Sequence, residues 1–206
     1  MTLRIIIVGA GGQGAIVADA LLLARASTVL GFVDDTHERP ILDLPILGRI
    51  DALADIEHDA IVVAIGDNAQ RRAITEQLIA RGETLVTAQH PFTSIATSAA
   101  IGAGSMISAG AIVTPRATIG RGVLLNTKAS VDHDSVVGDF AHVSAGATVG
   151  AKCVIGAEAM IGLGASVSSG CRVGARSVIG AGAVVVRDIP DDVVAYGVPA
   201  RVMRRV

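Results

Sequence analysis

The sequence predicts two folds in one chain: an α/β domain with a parallel sheet, then an all-β parallel β-helix. Three observations carry this. Strand-like and helix-like stretches alternate over residues 3–90 around a glycine-rich turn. From residue 95 to residue 190 an aliphatic side chain recurs at every sixth position. Gly makes up 24 of 206 residues, aromatics are 2% and Trp is absent, so the core is built from Ala, Val, Ile and Leu. The expected domains are 1–92, a half-Rossmann βαβ unit; 93–190, the β-helix; and 191–206, an exit segment.

Residues 3–10, LRIIIVGA, form an unbroken run of the kind a strand buried on both faces requires. A helix is expected over 15–25, with apolar spacing at Ile16, Ala20, Leu23 and Ala24. Residues 28–35 read as a second strand, 52–59 as a weak helix and 60–68 as a third strand. Residues 69–82 read as a helix with a terminal Gly stop, and 84–90 close the set. Arg71 and Arg72 open that last helix and read as solvated, with a phosphate contact as the alternative. Past the last coil, Arg201, Arg204 and Arg205 read as a solvated basic tail, with contact to the phosphates of a bound cosubstrate as the alternative.

Residues 95–190 divide into 16 hexads without an insertion. Their first position is aliphatic in all 16, and their fifth is Ala, Ser or Cys in 14, Val123 and Ile189 being the exceptions. A fixed hexapeptide period marks a parallel β-helix. Each hexad makes one flat face and one turn, and three faces close a triangular coil of 18 residues. The first residue points into the prism. The fifth sits near a corner where only a small side chain fits. Cys153 and Cys171 both occupy fifth positions, which accounts for their spacing, and they read as small buried thiols in a reducing cytosol.

Composition excludes several functions. A net charge of −2 gives no electrostatic case for nucleic acid or a membrane surface. No apolar run approaches the ~18 residues of a membrane span, and the N-terminal stretch is too short for a signal peptide. A cytoplasmic location is expected.

Gly9, Gly11 and Gly14 fit G-x-G-x-x-G between a strand and a helix, where loop amides can bind phosphate. Asp34 and Asp35 follow at the offset expected of an acid that reads a sugar hydroxyl. The motif also suits NAD. However, the domain lacks room for a second mononucleotide half, and a β-helix brings no hydride chemistry. His133 and Asp134 occupy third and fourth hexad positions, outward at a corner, where a stable β-helix needs no His. An imidazole there can take the proton that an attacking amine sheds. No Ser or Cys has a paired base, so direct attack is expected.

The hexad pattern, the ending Gly197-Val198-Pro199-Ala200 and the N-terminal VGAGGQG together resemble the left-handed β-helix hexapeptide acyltransferases. The resemblance is to those that acetylate nucleotide-linked 4-amino-sugars, and to sialic acid O-acetyltransferases of the same architecture. The left hand of the coil comes from this resemblance. It implies acetyl-CoA as cosubstrate, no metal, and a homotrimer with CoA between neighbouring prisms. The implied acceptor is a UDP-, dTDP- or GDP-linked 4-amino-4,6-dideoxyhexose. It makes His133 the general base and Asp134 its acidic partner, where the family often has Glu. It places His142 at the thioester, with Ala151, Leu163 and Ala181 as further CoA contacts. One coil past His133, the N–H of Ala151 is the expected oxyanion donor. Gly11, Gly12, Gln13, Asp34, Asp35, Gly66 and Asn68 match the nucleotide-sugar site, with Gln13 standing where the family commonly has His. O-acetylation of a sialic or related nonulosonic acid, and a non-catalytic trimeric scaffold, are the alternatives.

Overall fold

The computed structural model describes residues 2–206. Strands β1 (Leu3–Val8), β2 (Ser27–Val33), β3 (Ile46–Gly48) and β4 (Ala60–Val63) form a parallel sheet in the order β3-β2-β1-β4. β1 lies inside this sheet and is buried from Ile5 to Val8, which explains its unbroken apolar run. Helices α1 (Gly12–Ala24) and α2 (Asn68–Ala80) follow β1 and β4. The expected weak helix is a 3-10 turn over Ile50–Asp55, and the three-residue β3 is too short and too half-buried to show a pattern.

The stretch 84–90 does not complete the sheet. Leu85 makes one bridge to Ile61, and Ala88–Gln89 pairs instead with Met106–Ile107 of the β-helix. That first rung escapes the hexad pattern because Gln89, at a first-position site, lies at the open end of the prism and is exposed.

Three sheets of eight, six and five strands make the faces of the prism, parallel throughout except that Arg201–Arg205 closes the eight-stranded sheet antiparallel to Val193–Tyr196. Register advances by 18 residues per coil, as in Thr118↔Val136 and Val136↔Val154. First- and fifth-position residues from Ile107 to Ala183 fill one continuous core. Cys153 and Cys171 are buried, free thiols. Fourth positions turn each corner in the left-handed backbone region, Arg116 at φ 61° and Asp134 at φ 59° among them. Asp tolerates that region better than most residues.

The first domain is seated on the eight-stranded face. Outward-pointing Met106 and Leu124 of that face are buried with Val17, Leu21 and Phe32. Arg71 is fully buried at this junction, not solvated. Its guanidinium donates to Gly122 O (2.8 Å) and Phe140 O (2.7 Å) of the β-helix, and to Ile65 O (2.8 Å) and Gly66 O (3.1 Å) of the turn after β4. Burial lowers its pKa to about 10, so it stays charged. Carbonyl acceptors in place of a carboxylate make it a rigid tie between the domains.

Candidate active site

His133 stands on the corner between the six-stranded and five-stranded faces, and both its neighbours brace it. The Asp132 carboxylate accepts the His133 backbone N–H at 2.7 Å and the Thr114 hydroxyl at 3.0 Å. The Asp134 carboxylate meets His133 Nδ1 at 2.7 Å. The same carboxylate accepts Arg116 Nε at 2.6 Å and Nη2 at 2.9 Å. Thr114 and Arg116 lie one coil before Asp132 and Asp134, so each brace is a stacked pair. Arg116 first, and His133 second, hold the Asp134 carboxyl well below the usual carboxylate range. An ionised carboxylate only accepts, so Nδ1 carries a proton, and the lone pair of the neutral ring then lies on Nε2. The imidazole is 43% exposed, open to a substrate.

His142 does not join this group. Nine residues are half a coil, so His142 lies across the prism from His133, on the eight-stranded face. Burial, and then the charge of Arg71, lowers its pKa to about 4. It is neutral at physiological pH, and its Nε2 is buried without a partner. The Ala151 N–H is not free, as the oxyanion expectation requires: it donates to Ser169 Oγ, one coil on, at 3.1 Å. Leu163 and Ala181 are both exposed, one coil apart, on the corner that follows His142.

The glycine turn opens onto a cleft of about 460 Å³ lined by Gly11, Gly12, Gln13, Asp34, Asp35 and Gly66. No Cβ added at Gly11 or Gly12 would meet anything within 4 Å, so the start of α1, whose first N–H groups have no partner within the helix, is uncrowded. At Gly14 an added Cβ would lie 2.2 Å from Gly9 O. Gly14→Val is therefore expected to displace the turn and lower the melting temperature; scanning calorimetry measures this.

Asp34 braces the turn. Its carboxylate accepts the backbone N–H groups of Ala10 (2.7 Å), Thr36 (2.7 Å) and His37 (2.8 Å). Burial works to raise its pKa, but these donors outweigh burial and hold it well below the usual range. Asp35 accepts the Ile50 N–H at 3.1 Å and pairs with Arg49 at 3.7 Å, both through Oδ1, and its side chain is 47% exposed, which leaves Oδ2 room for a ligand hydroxyl. Asn68 turns away from the cleft. Its Nδ2 donates to Glu158 O at 2.9 Å and its Oδ1 accepts Arg71 Nη2 at 2.8 Å. His37, Ile50 and Gln70 also line the cleft. Only His37, within three residues of Asp34, carried a signal for this in the sequence.

Among the described residues no helix is long and apolar enough to cross a membrane. The PglD N-terminal domain family matches residues 4–78. No curated protein matches the chain at comparable stringency. Solved structures match it almost end to end. The acetyltransferase domain of PglB from Neisseria gonorrhoeae is 36% identical, with 98% of this chain and 100% of that one covered at a TM-score of 0.95. A variant of perosamine N-acetyltransferase from Caulobacter crescentus, solved with CoA and GDP-perosamine, is 33% identical, covers 97% and 96%, and has a TM-score of 0.93. WeeI from Acinetobacter baumannii is 27% identical over 98% and 100%, with a TM-score of 0.90. Shared identity over the whole length of both chains, on a half-Rossmann domain followed by a left-handed β-helix, places the chain among the bacterial hexapeptide-repeat sugar N-acetyltransferases, acetyl-CoA-dependent enzymes with a PglD-type N-terminal domain.

Proposed function

We propose that this protein transfers the acetyl group of acetyl-CoA to the amine of a nucleotide-linked 4-amino-sugar, with His133 as general base. The observation that carries this is the His133–Asp134 contact with Nε2 left free. The amine attacks the thioester carbon directly. As the C–N bond forms, His133 Nε2 takes the nitrogen's proton and Asp134 stabilises the imidazolium. Collapse of the tetrahedral intermediate breaks the C–S bond and expels the CoA thiolate, which takes up a proton. The sugar's phosphates sit on the α1 amides, and Asp35 reads a hydroxyl. N-acetylation is favoured over O-acetylation because structures matched over both whole lengths include N-acetyltransferases. Incubation with acetyl-CoA and a panel of UDP-, dTDP- and GDP-linked amino-sugars, followed by free thiol, tests the reading. Thiol release with hydroxyl acceptors only, or with none, overturns it.

The site is shared between subunits in this reading. The nucleotide cleft rises over the eight-stranded face, and in a triangular prism the His133 corner is opposite that face. One chain cannot bring its own acceptor to its own base. Leu124, which supports the first domain, belongs to the same coil as His133. In a ring of parallel prisms, one chain's base therefore stands level with the next chain's cleft. Exposed Ile112, Val136 and Val154 on the other two faces supply apolar surface for such contacts. Light scattering is expected to give three times 20.8 kDa. A monomer fully active at nanomolar concentration would overturn the shared site.

A further inference from the structure

We propose that Arg116 is a positioning residue of the acetyl transfer: its guanidinium fixes the Asp134 carboxylate so that His133 presents its Nε2 lone pair. The inference rests on His133 serving as the general base.

The geometry is a fork with a third contact. Arg116 Nε and Nη2 each take one oxygen of Asp134, and the oxygen that meets Nη2 also meets His133 Nδ1 at 2.7 Å. A carboxylate held by one hydrogen bond can swing about its side-chain torsions. One held at both oxygens by a planar guanidinium has a fixed plane. The backbone makes the fork possible. Arg116 and Asp134 occupy equivalent left-handed corner positions one coil apart, so their side chains leave the prism in parallel. The Asp132–Thr114 pair fixes the backbone on the other side of His133.

The fork's value lies in orientation rather than stability. The Arg116 side chain is 64% exposed, and exposed ion pairs stabilise proteins little. The β-helix contains an internal control. Arg176 makes the same fork on Asp192, at 2.6 and 2.7 Å, on a corner with no histidine. The two pairs differ chiefly in what the carboxylate does next, and only Asp134 passes its orientation to an imidazole. The charged groups around His133 are Asp132, Asp134 and Arg116, with Lys152 one coil beyond Asp134. Arg116 is the one that grips the Asp134 carboxylate at both oxygens.

Arg116→Ala is expected to lower kcat about 10- to 100-fold, the range typical of outer partners that orient a reacting group, with KM for acetyl-CoA unchanged. Added guanidinium ion should restore part of the rate. Arg116→Lys keeps the charge without the fork and should stay impaired, while Arg176→Ala should keep full activity. A second readout does not depend on turnover. With five histidines in the chain, 15N-labelled imidazoles can be assigned by loss of the His133 signal in His133→Gln. The native protein should show His133 protonated at Nδ1, and Arg116→Ala should show mixed tautomers. An unchanged tautomer in Arg116→Ala, full activity in Arg116→Lys, or more than half the native kcat in Arg116→Ala would overturn the positioning role. If no acceptor supports thiol release, the tautomer still decides the role of Arg116, and only the proposed reaction fails.

Discussion

His133→Ala is expected to lower kcat at least about 10²-fold, the usual contribution of a positioned general base, while the protein remains folded. The fold does not need this side chain. The imidazole is substantially exposed on a corner whose interior neighbours, Val131 and Val137, are buried by the prism itself. The corner's backbone is held by Asp132 and Thr114, and both remain in the variant. The loss should therefore fall on kcat, with acetyl-CoA binding little changed. Steady-state thiol release and circular dichroism measure the two sides. A variant that retains more than half the activity removes His133 from the mechanism.

Asp134→Asn is expected to cost about 10²- to 10³-fold in kcat, although it is nearly isosteric. Three donors converge on this carboxylate: Arg116 Nε, Arg116 Nη2 and His133 Nδ1–H. An amide has one acceptor oxygen and brings two donors of its own. Whichever way it turns, it opposes Arg116 or His133. If its NH2 faces the imidazole, the ring proton moves to Nε2 and the base is lost. The charge effect adds to this. Arg116 and His133 keep Asp134 ionised across the assay range, so it counts as a full negative charge beside the imidazolium. Without that charge the imidazolium is less stable, and the acid limb of the pH–rate profile should move to lower pH. An unchanged profile would leave Asp134 as a surface residue of the corner.

Both variants act on residues that were legible before any coordinates, and so was the architecture that presents them. The hexad period assigned inward and outward positions over 96 residues because every rung repeats the same local problem: one aliphatic inside, one small residue at a corner. The glycine turn was legible for a similar reason. Its spacing reflects a strand, a tight turn and a helix start that are contiguous in sequence. The coil length carries further information. A nine-residue gap is half a coil, which puts His133 and His142 on opposite sides, and Arg116 is one coil before Asp134.

Other features depended on groups that meet only through the third dimension. Coil arithmetic placed Ala151 above His133, but the Ser169 hydroxyl that takes its N–H was visible only in the structure. The resemblance that implied Asn68 as a ligand could not show that Glu158 O and Arg71 claim its side chain. Arg71 reads as a solvated helix-start residue because two of its carbonyl acceptors, Gly122 O and Phe140 O, come from the β-helix, 51 and 69 residues away. Repeats and turns are specified by neighbours along the chain, so the sequence alone determined the prism, the glycine turn and the His133–Asp134 pair. Which face the first domain covers depends on how two finished surfaces fit. Only the tertiary structure could decide that, and with it the separation of His133 from the cleft.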